Sequence, residues 1–223
     1  MRRRLTCHHE AAHSLVRWFF GHSTERAIVL TVEEVRARIP IVRLDDEPVF
    51  CEGLVEGYDI IGPPFGPVSV SGTRKEEDER NRIRSIARDI DLINCYAGFV
   101  AEAHYLHIST NVAMFNGGMP DIEHARMLTD AWHLPSEEAK ALHDASQRRA
   151  VALVRSPSGS AAIQTMADAL MEGGEIDGNE IAELCRGAYG GRQCEFGAWN
   201  RCWPPTLAQL RAGYIPEARP VAA

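Results

Sequence analysis

The chain has 223 residues, enough for one substantial core, and its 45% hydrophobic and 25% charged content excludes a disordered or membrane-embedded chain. Its 24 Lys and Arg against 31 Asp and Glu give a net charge of -7, which opposes non-specific binding to nucleic acid. The basic residues gather only at Arg2, Arg3 and Arg4 and in a run from Arg74 to Arg88 whose alternating signs are those of a solvated helix face.

Met1-Arg2-Arg3-Arg4 is followed by Thr6-Cys7-His8-His9-Glu10 rather than by an apolar export segment, and no stretch approaches the roughly 20 apolar residues that span a bilayer. The expectation is a cytoplasmic protein with no membrane partner. Six cysteines without a Cys-x-x-Cys pair read as reduced thiols, with Cys185, Cys194 and Cys202 structural.

In chain order, Leu5, Ala12, Leu15, Val16, Phe19 and Phe20 keep helical spacing up to Gly21, which places His9 to His13 inside a helix. Arg26 to Val35 turns β-branched, as do Ile39 to Leu44 and Val68 to Val70, the last preceded by a Pro and Gly cluster at Gly62 to Pro67. This predicts a small sheet or hairpin. Glu76 to His107 carries Ile83, Ile86, Ile90, Ile93, Ala97 and Val100 at spacings of three or four, so one long helix or two joined ones are expected. After a Gly117-Gly118 turn, Pro120-Asp121 opens a helix to about Trp132, and another follows Pro135. Pro157-Ser158-Gly159 breaks that one, Ala161 to Met171 forms the next, and Asp177 with Glu180 caps a short helix through Leu184. The fold expected is mainly α (α+β), with 1–186 as the working domain and 187–223 as a Gly- and Pro-rich tail packed on it.

The chemistry gathers at His9-Glu10-Ala11-Ala12-His13. Positions i and i+4 share a helix face, so His9 and His13 can offer imidazole nitrogens to one Zn2+, at about 2.0–2.1 Å. Glu10, on the flank of that face, is the base that would activate the attacking water and protonate the leaving amine of a peptide. A third ligand is required. Asp121, Glu102, Glu123, His124, His104 and His107 are the candidates, with Asp121 at a helix N-terminus and Glu102 on a buried helix foremost. Tyr96, His104 and Tyr105 are possible oxyanion donors. A phosphate-binding glycine loop is absent from the sequence.

Thr6 to Val16, TCHHEAAHSLV, resembles the HEAGH segment that opens the peptidase domain of the FtsH family of ATP-dependent zinc metalloproteases. Tyr96 to His104, YAGFVAEAH, resembles that family's Gly-Gly-Arg-x-Ala-Glu-Glu helix, and Pro120 to Leu128, PDIEHARML, its Asp-Leu/Ile-Glu-x-Ala-x-x-Leu helix. Ala167 to Leu184, ADALMEGGEIDGNEIAEL, is similar to its closing helix, turn and helix. The resemblance implies that Asp121 is the third ligand, that one zinc is held per chain, and that the fold is a helical peptidase domain with a small β element beside the site, to which a substrate can add as a strand. Ala12 replaces a glycine of the family, Ala97-Gly98-Phe99 replaces Gly-Gly-Arg, and Arg36 to Pro67 looks like an insertion.

The expected activity is therefore that of a zinc endopeptidase lacking the family's ATPase module and membrane anchor. It would act on peptides or unfolded segments, alone, as a homo-oligomer or with a separate ATPase or adaptor. The alternative is a non-catalytic binding or regulatory module that keeps a zinc site. An intact Glu10 argues against it, since a structural site has no use for a base.

Overall fold

A computed structural model of the chain describes residues 1–57, 66–69, 72–194 and 203–214, with the side chain of residue 116 excepted. It is mainly helical with a small β-sheet, and its centre is α1 (Arg2–Phe19). From Cys7 onward this helix is buried on nearly every side, because small residues (Cys7, Ala11, Ala12) let neighbours approach while Leu15, Val16 and Phe19 fill the space between them. α1 packs on α3 (Arg74–Leu106), α7 (Pro157–Gly173) and α8 (Gly178–Ala188), and on the sheet.

The three arginines that open the chain are all engaged. Arg2 pairs with Glu52, Arg4 with Asp168, and Arg3 donates to the carbonyls of Met171 (2.8 Å) and Leu170 (3.1 Å) in the last turn of α7. A cation there meets both the orphan carbonyls and the negative end of the helix dipole.

The sheet departs from the expected strand over Arg26 to Val35. Only Arg26–Val29 (β1) is strand; α2 (Val32–Arg36) follows, because Thr31 and Glu34 close a reciprocal capping box. β1 is the central strand, antiparallel on one side to β4 (Gly53–Glu56) and on the other to β5 (Glu175–Asp177). Ile39 to Leu44 shortens to β2 (Ile41–Val42), paired with β3 (Pro48–Val49) in a separate hairpin. The buried Glu56 carboxylate holds that hairpin to the sheet by accepting from Arg26 Nε at 2.8 Å and from the Leu44 amide at 3.0 Å. Val68 and Ser69 are not strand, and Val70 and residues 62–65 of the Pro and Gly cluster lie outside the described residues.

α3 is a single helix of 33 residues, capped by Thr73 and Glu76. α4 (Thr110–Gly117), unanticipated from the sequence, leads through Gly118 alone into α5 (Met119–Asp130). A β-carbon at Gly118 would lie 2.5 Å from the Phe99 ring, so this junction needs glycine to sit on α3. α6 (Ser136–Val154) ends two residues before α7, where Ser156 caps the helix and Pro157 takes its first position, four residues ahead of the expected start. α8 runs on to Ala188. In the tail, α9 (Leu207–Arg211) packs on α6, and Trp203 meets Phe20 and donates to Asp89 at 3.2 Å. The five described cysteines are free thiols, Cys202 lying outside the described residues. Among the described residues no helix is long and apolar enough to cross a membrane.

Candidate metal centre

Where α1 crosses α3, His13 faces Asn94 while His9 faces Gly98 and Glu102. Numbering rises on one helix as it falls on the other, so the two run antiparallel. Asn94, Gly98 and Glu102 recur every four residues, which sets all three on one face of α3. Each does a different job. The Asn94 Oδ1 accepts from His13 Nδ1 at 3.3 Å, and the Glu102 Oε1 accepts from His9 Nδ1 at 2.7 Å. With the proton kept on Nδ1, each ring offers its Nε2 to a metal in the space between the helices, His9 giving up the Nε2 proton that Asp121 otherwise accepts. Gly98 supplies that space, since a β-carbon there would lie 2.4 Å from His9 Nε2.

Asp121, in the first turn of α5, enters the same space. Its Oδ2 lies 3.1 Å from His9 Nε2 and 3.8 Å from His13 Nε2, and the donor atoms of His9, His13 and Asp121 all fall within 4.8 Å of one another. Two donors of a tetrahedral zinc at ~2.0–2.1 Å are about 3.3–3.4 Å apart, a separation that the two measured distances bracket. Nitrogen, nitrogen and carboxylate oxygen also match the donor preference of zinc, so the residues fit the ion.

Electrostatics separates the roles. Burial, with His9 adding to it, pushes His13 down to about 4, which keeps the imidazole neutral as a ligand must be. For His9 burial acts the same way, but hydrogen bonds to Asp121 and Glu102 outweigh it and hold the ring well above its ordinary value. Burial would raise Asp121; His13 and His9 overcome it and keep the carboxylate ionised. Glu10, 7% exposed, is pushed up to about 7 by burial, which His9 opposes and Asp121 and Glu102 reinforce.

These groups line a cleft of about 880 Å³ whose other walls come from Leu5 and Thr6 of α1, Phe50 to Val55, and Pro120 and His124 of α5. Glu102 therefore sits behind His9, on the ring nitrogen turned from the cluster, and among the described residues the group that can hold a metal is His9, His13 and Asp121. His124 lines the cleft one turn beyond Asp121, while Glu123 is exposed. His104 bonds Ser160 at 3.2 Å and Tyr105 stacks on His8, both in a separate pocket that His107 also lines, and the Tyr96 hydroxyl meets His143 at 2.9 Å. The three possible oxyanion donors thus do not line the cleft.

Sequence reasoning missed Asn94, Gly53 and the packing role of Gly98. Gly53 presses on the base, as a β-carbon there would come 2.7 Å from Glu10 Oε1. No protein-family model matches the chain and no curated protein matches it. What its geometry shows is a His-His-Asp cluster of the zincin kind, set beside a buried glutamate on the central helix of a mainly helical fold.

Proposed function

We propose that this chain is a zinc-dependent endopeptidase whose metal ligands are His9, His13 and Asp121 and whose general base is Glu10. One observation carries the reading: His9 Nε2, His13 Nε2 and Asp121 Oδ2 converge beside the buried Glu10 carboxylate in a cleft of about 880 Å³. Zinc bound in that donor set is a Lewis acid that acidifies water and polarises a carbonyl. Glu10 takes the proton as the water oxygen attacks the peptide carbonyl carbon, then gives it to the amide nitrogen as the C–N bond breaks, so one carboxyl serves both transfers. Glu102 and Asn94 hold the two imidazoles in the tautomer this requires.

The substrate adds as a strand, but not to β1, both of whose edges are taken. The strand that lines the cleft is β4, whose second edge pairs with no other described strand. It belongs to the stretch that reads as an insertion, so that stretch builds the substrate platform. Kinship to the FtsH peptidase domain is part of this proposal, supported by the four matched segments and by Asp121 standing where that resemblance puts the third ligand. Residues 1–186 form the peptidase domain, with the tail packed on it. The protein works in the cytoplasm on peptides or unfolded segments, alone, as a homo-oligomer or with a separate ATPase or adaptor, and without nucleic acid.

The deciding experiment pairs zinc analysis with peptide cleavage in wild type and Glu10→Gln. One zinc per chain in both proteins, with cleavage only in wild type and reduced at least 10³-fold in the variant, is expected. Zinc in both without cleavage of any of a broad set of unfolded proteins would favour the non-catalytic binding module instead.

A further inference from the structure

A chain of hydrogen bonds links three helices close to the metal centre without entering it. The Tyr96 hydroxyl of α3 donates to His143 Nδ1 of α6 at 2.9 Å, and His143 Nε2 donates to Thr129 Oγ1 of α5 at 3.2 Å. Thr129 in turn donates to the Arg126 carbonyl at 3.0 Å. One neutral imidazole, with its proton on Nε2, satisfies the whole chain. Burial, reinforced by Arg126, lowers the His143 pKa, in keeping with that neutral form.

The ends of this chain are informative. Tyr96 lies between Asn94 and Gly98, the residues that orient His13 and admit His9. Thr129 lies two turns beyond Asp121 on the same helix. The other contacts at this junction are mostly apolar: Leu92 and Cys95 of α3 pack with Ala125 and Leu128 of α5 and with Leu142 of α6, Phe99 of α3 meets Gly118 at the start of α5, and Arg88 lies over the Trp132 ring just past its end, 4.5 Å from the centroid. Apolar contacts fix how close helices come but tolerate sliding, because they are non-directional. A slip of one turn would move a helix by ~5.4 Å, whereas metal ligands must hold to about 0.2 Å. Directional bonds add to the steric fit of Gly118 against Phe99 a constraint on register that apolar area alone does not supply.

We propose that His143 is a positioning residue of the metal centre, fixing the register of α5 against α3 so that Asp121 stands opposite His9 and His13. This role rests on the zinc reading given above. His143 touches neither metal nor substrate; it acts through Thr129 and the helix that Thr129 shares with Asp121.

The test measures zinc affinity by competition with a chromophoric chelator, and the visible absorption bands of the cobalt-loaded protein, on the full chain. Wild type is compared with His143→Leu, with the near-isosteric Thr129→Val, with the two combined, and with Leu142→Ala, which removes apolar packing from the same junction. His143→Leu and Thr129→Val should each weaken zinc about tenfold and alter the cobalt bands. The double variant should be no worse than His143→Leu, since both cut the same link. Leu142→Ala should lower Tm yet keep the wild-type affinity and spectrum. Wild-type affinity and cobalt bands in a folded Thr129→Val or His143→Leu would overturn the role, as would Leu142→Ala weakening zinc equally. Should His143→Leu not fold, Thr129→Val carries the test. A wild-type protein that binds neither zinc nor cobalt would instead remove the metal centre, and this role with it.

Discussion

At the level of single residues, Gly98 is the tightest constraint on the site. A methyl group there would occupy the space of the His9 ring, 2.4 Å from Nε2, and both helices at the crossing are buried. Gly98→Ala should leave helix content unchanged while lowering zinc affinity at least tenfold, measured by chelator competition. Full zinc retention would mean that α1 and α3 part easily at their closest approach. The His-Glu-x-x-His spacing was legible because both ligands lie on one helix, where i and i+4 fix a shared face. Asn94 and Gly98 were not, since their importance arises only from the antiparallel packing of α3 on α1, which neither helix's periodicity encodes. Residue chemistry left Asp121, at a helix N-terminus, and Glu102, on a buried helix, equally open, and only the resemblance favoured Asp121. What separates them is which nitrogen of His9 each meets.

Among the elements, helices were legible where apolar spacing persisted, as in α1 and α3, and strands only in part: β1 and β2 lie inside the stretches read as β but are shorter, while β3, β4 and β5 were not read. Val32 and Val35 look like strand residues, yet the Thr31 and Glu34 capping box outweighs their propensity. β5 has three residues, too few for an alternation to register, and it takes its place by pairing with β1. The edge reading of β4 has a consequence with a period of two. Peptides N-methylated at alternate backbone nitrogens in one phase should lose at least tenfold in binding, and those in the opposite phase should lose little. Equal losses in both phases, read by competition against a fluorescent peptide, would rule out strand pairing.

The turn that ends α1 carries a pH dependence of its own. His22 is buried and pushed down to about 3, chiefly by burial and then by Arg17. Above about pH 6.5 the imidazole is neutral both folded and unfolded, and contributes nothing to pH dependence. As pH falls from there toward 3 the unfolded chain takes a proton that the folded one refuses, and stability drops by about 1.4 kcal/mol per unit. In chelator-treated protein, His22→Gln should therefore lose about 2 kcal/mol less than wild type between pH 7 and pH 5, measured by urea unfolding. An identical loss in the two proteins would place the acid sensitivity elsewhere.

For the molecule as a whole, the ligands come from two helices that are held very differently. α1 is clasped by α3, α7, α8 and the sheet, whereas α5 packs chiefly on α3 and α4. A zinc held by His9, His13 and Asp121 would therefore cross-link α5, which has few neighbours, to the central helix of the fold. Because the metal binds the folded chain, free zinc at ~1,000 times its Kd adds about 4 kcal/mol to the unfolding free energy. Nearly all of that gain should disappear in Asp121→Ala. The loss should also be local: on chelation, amides of Ile122 to Leu128 in α5 should exchange with deuterium much faster, while those of Ala162 to Leu170 in the buried stretch of α7 keep their protection. Uniformly faster exchange would mean that the metal supports the fold globally rather than fastening α5. No change in either helix, with zinc stoichiometrically bound beforehand, would show that α5 is already fixed without it, leaving the ion a chemical role and no structural one.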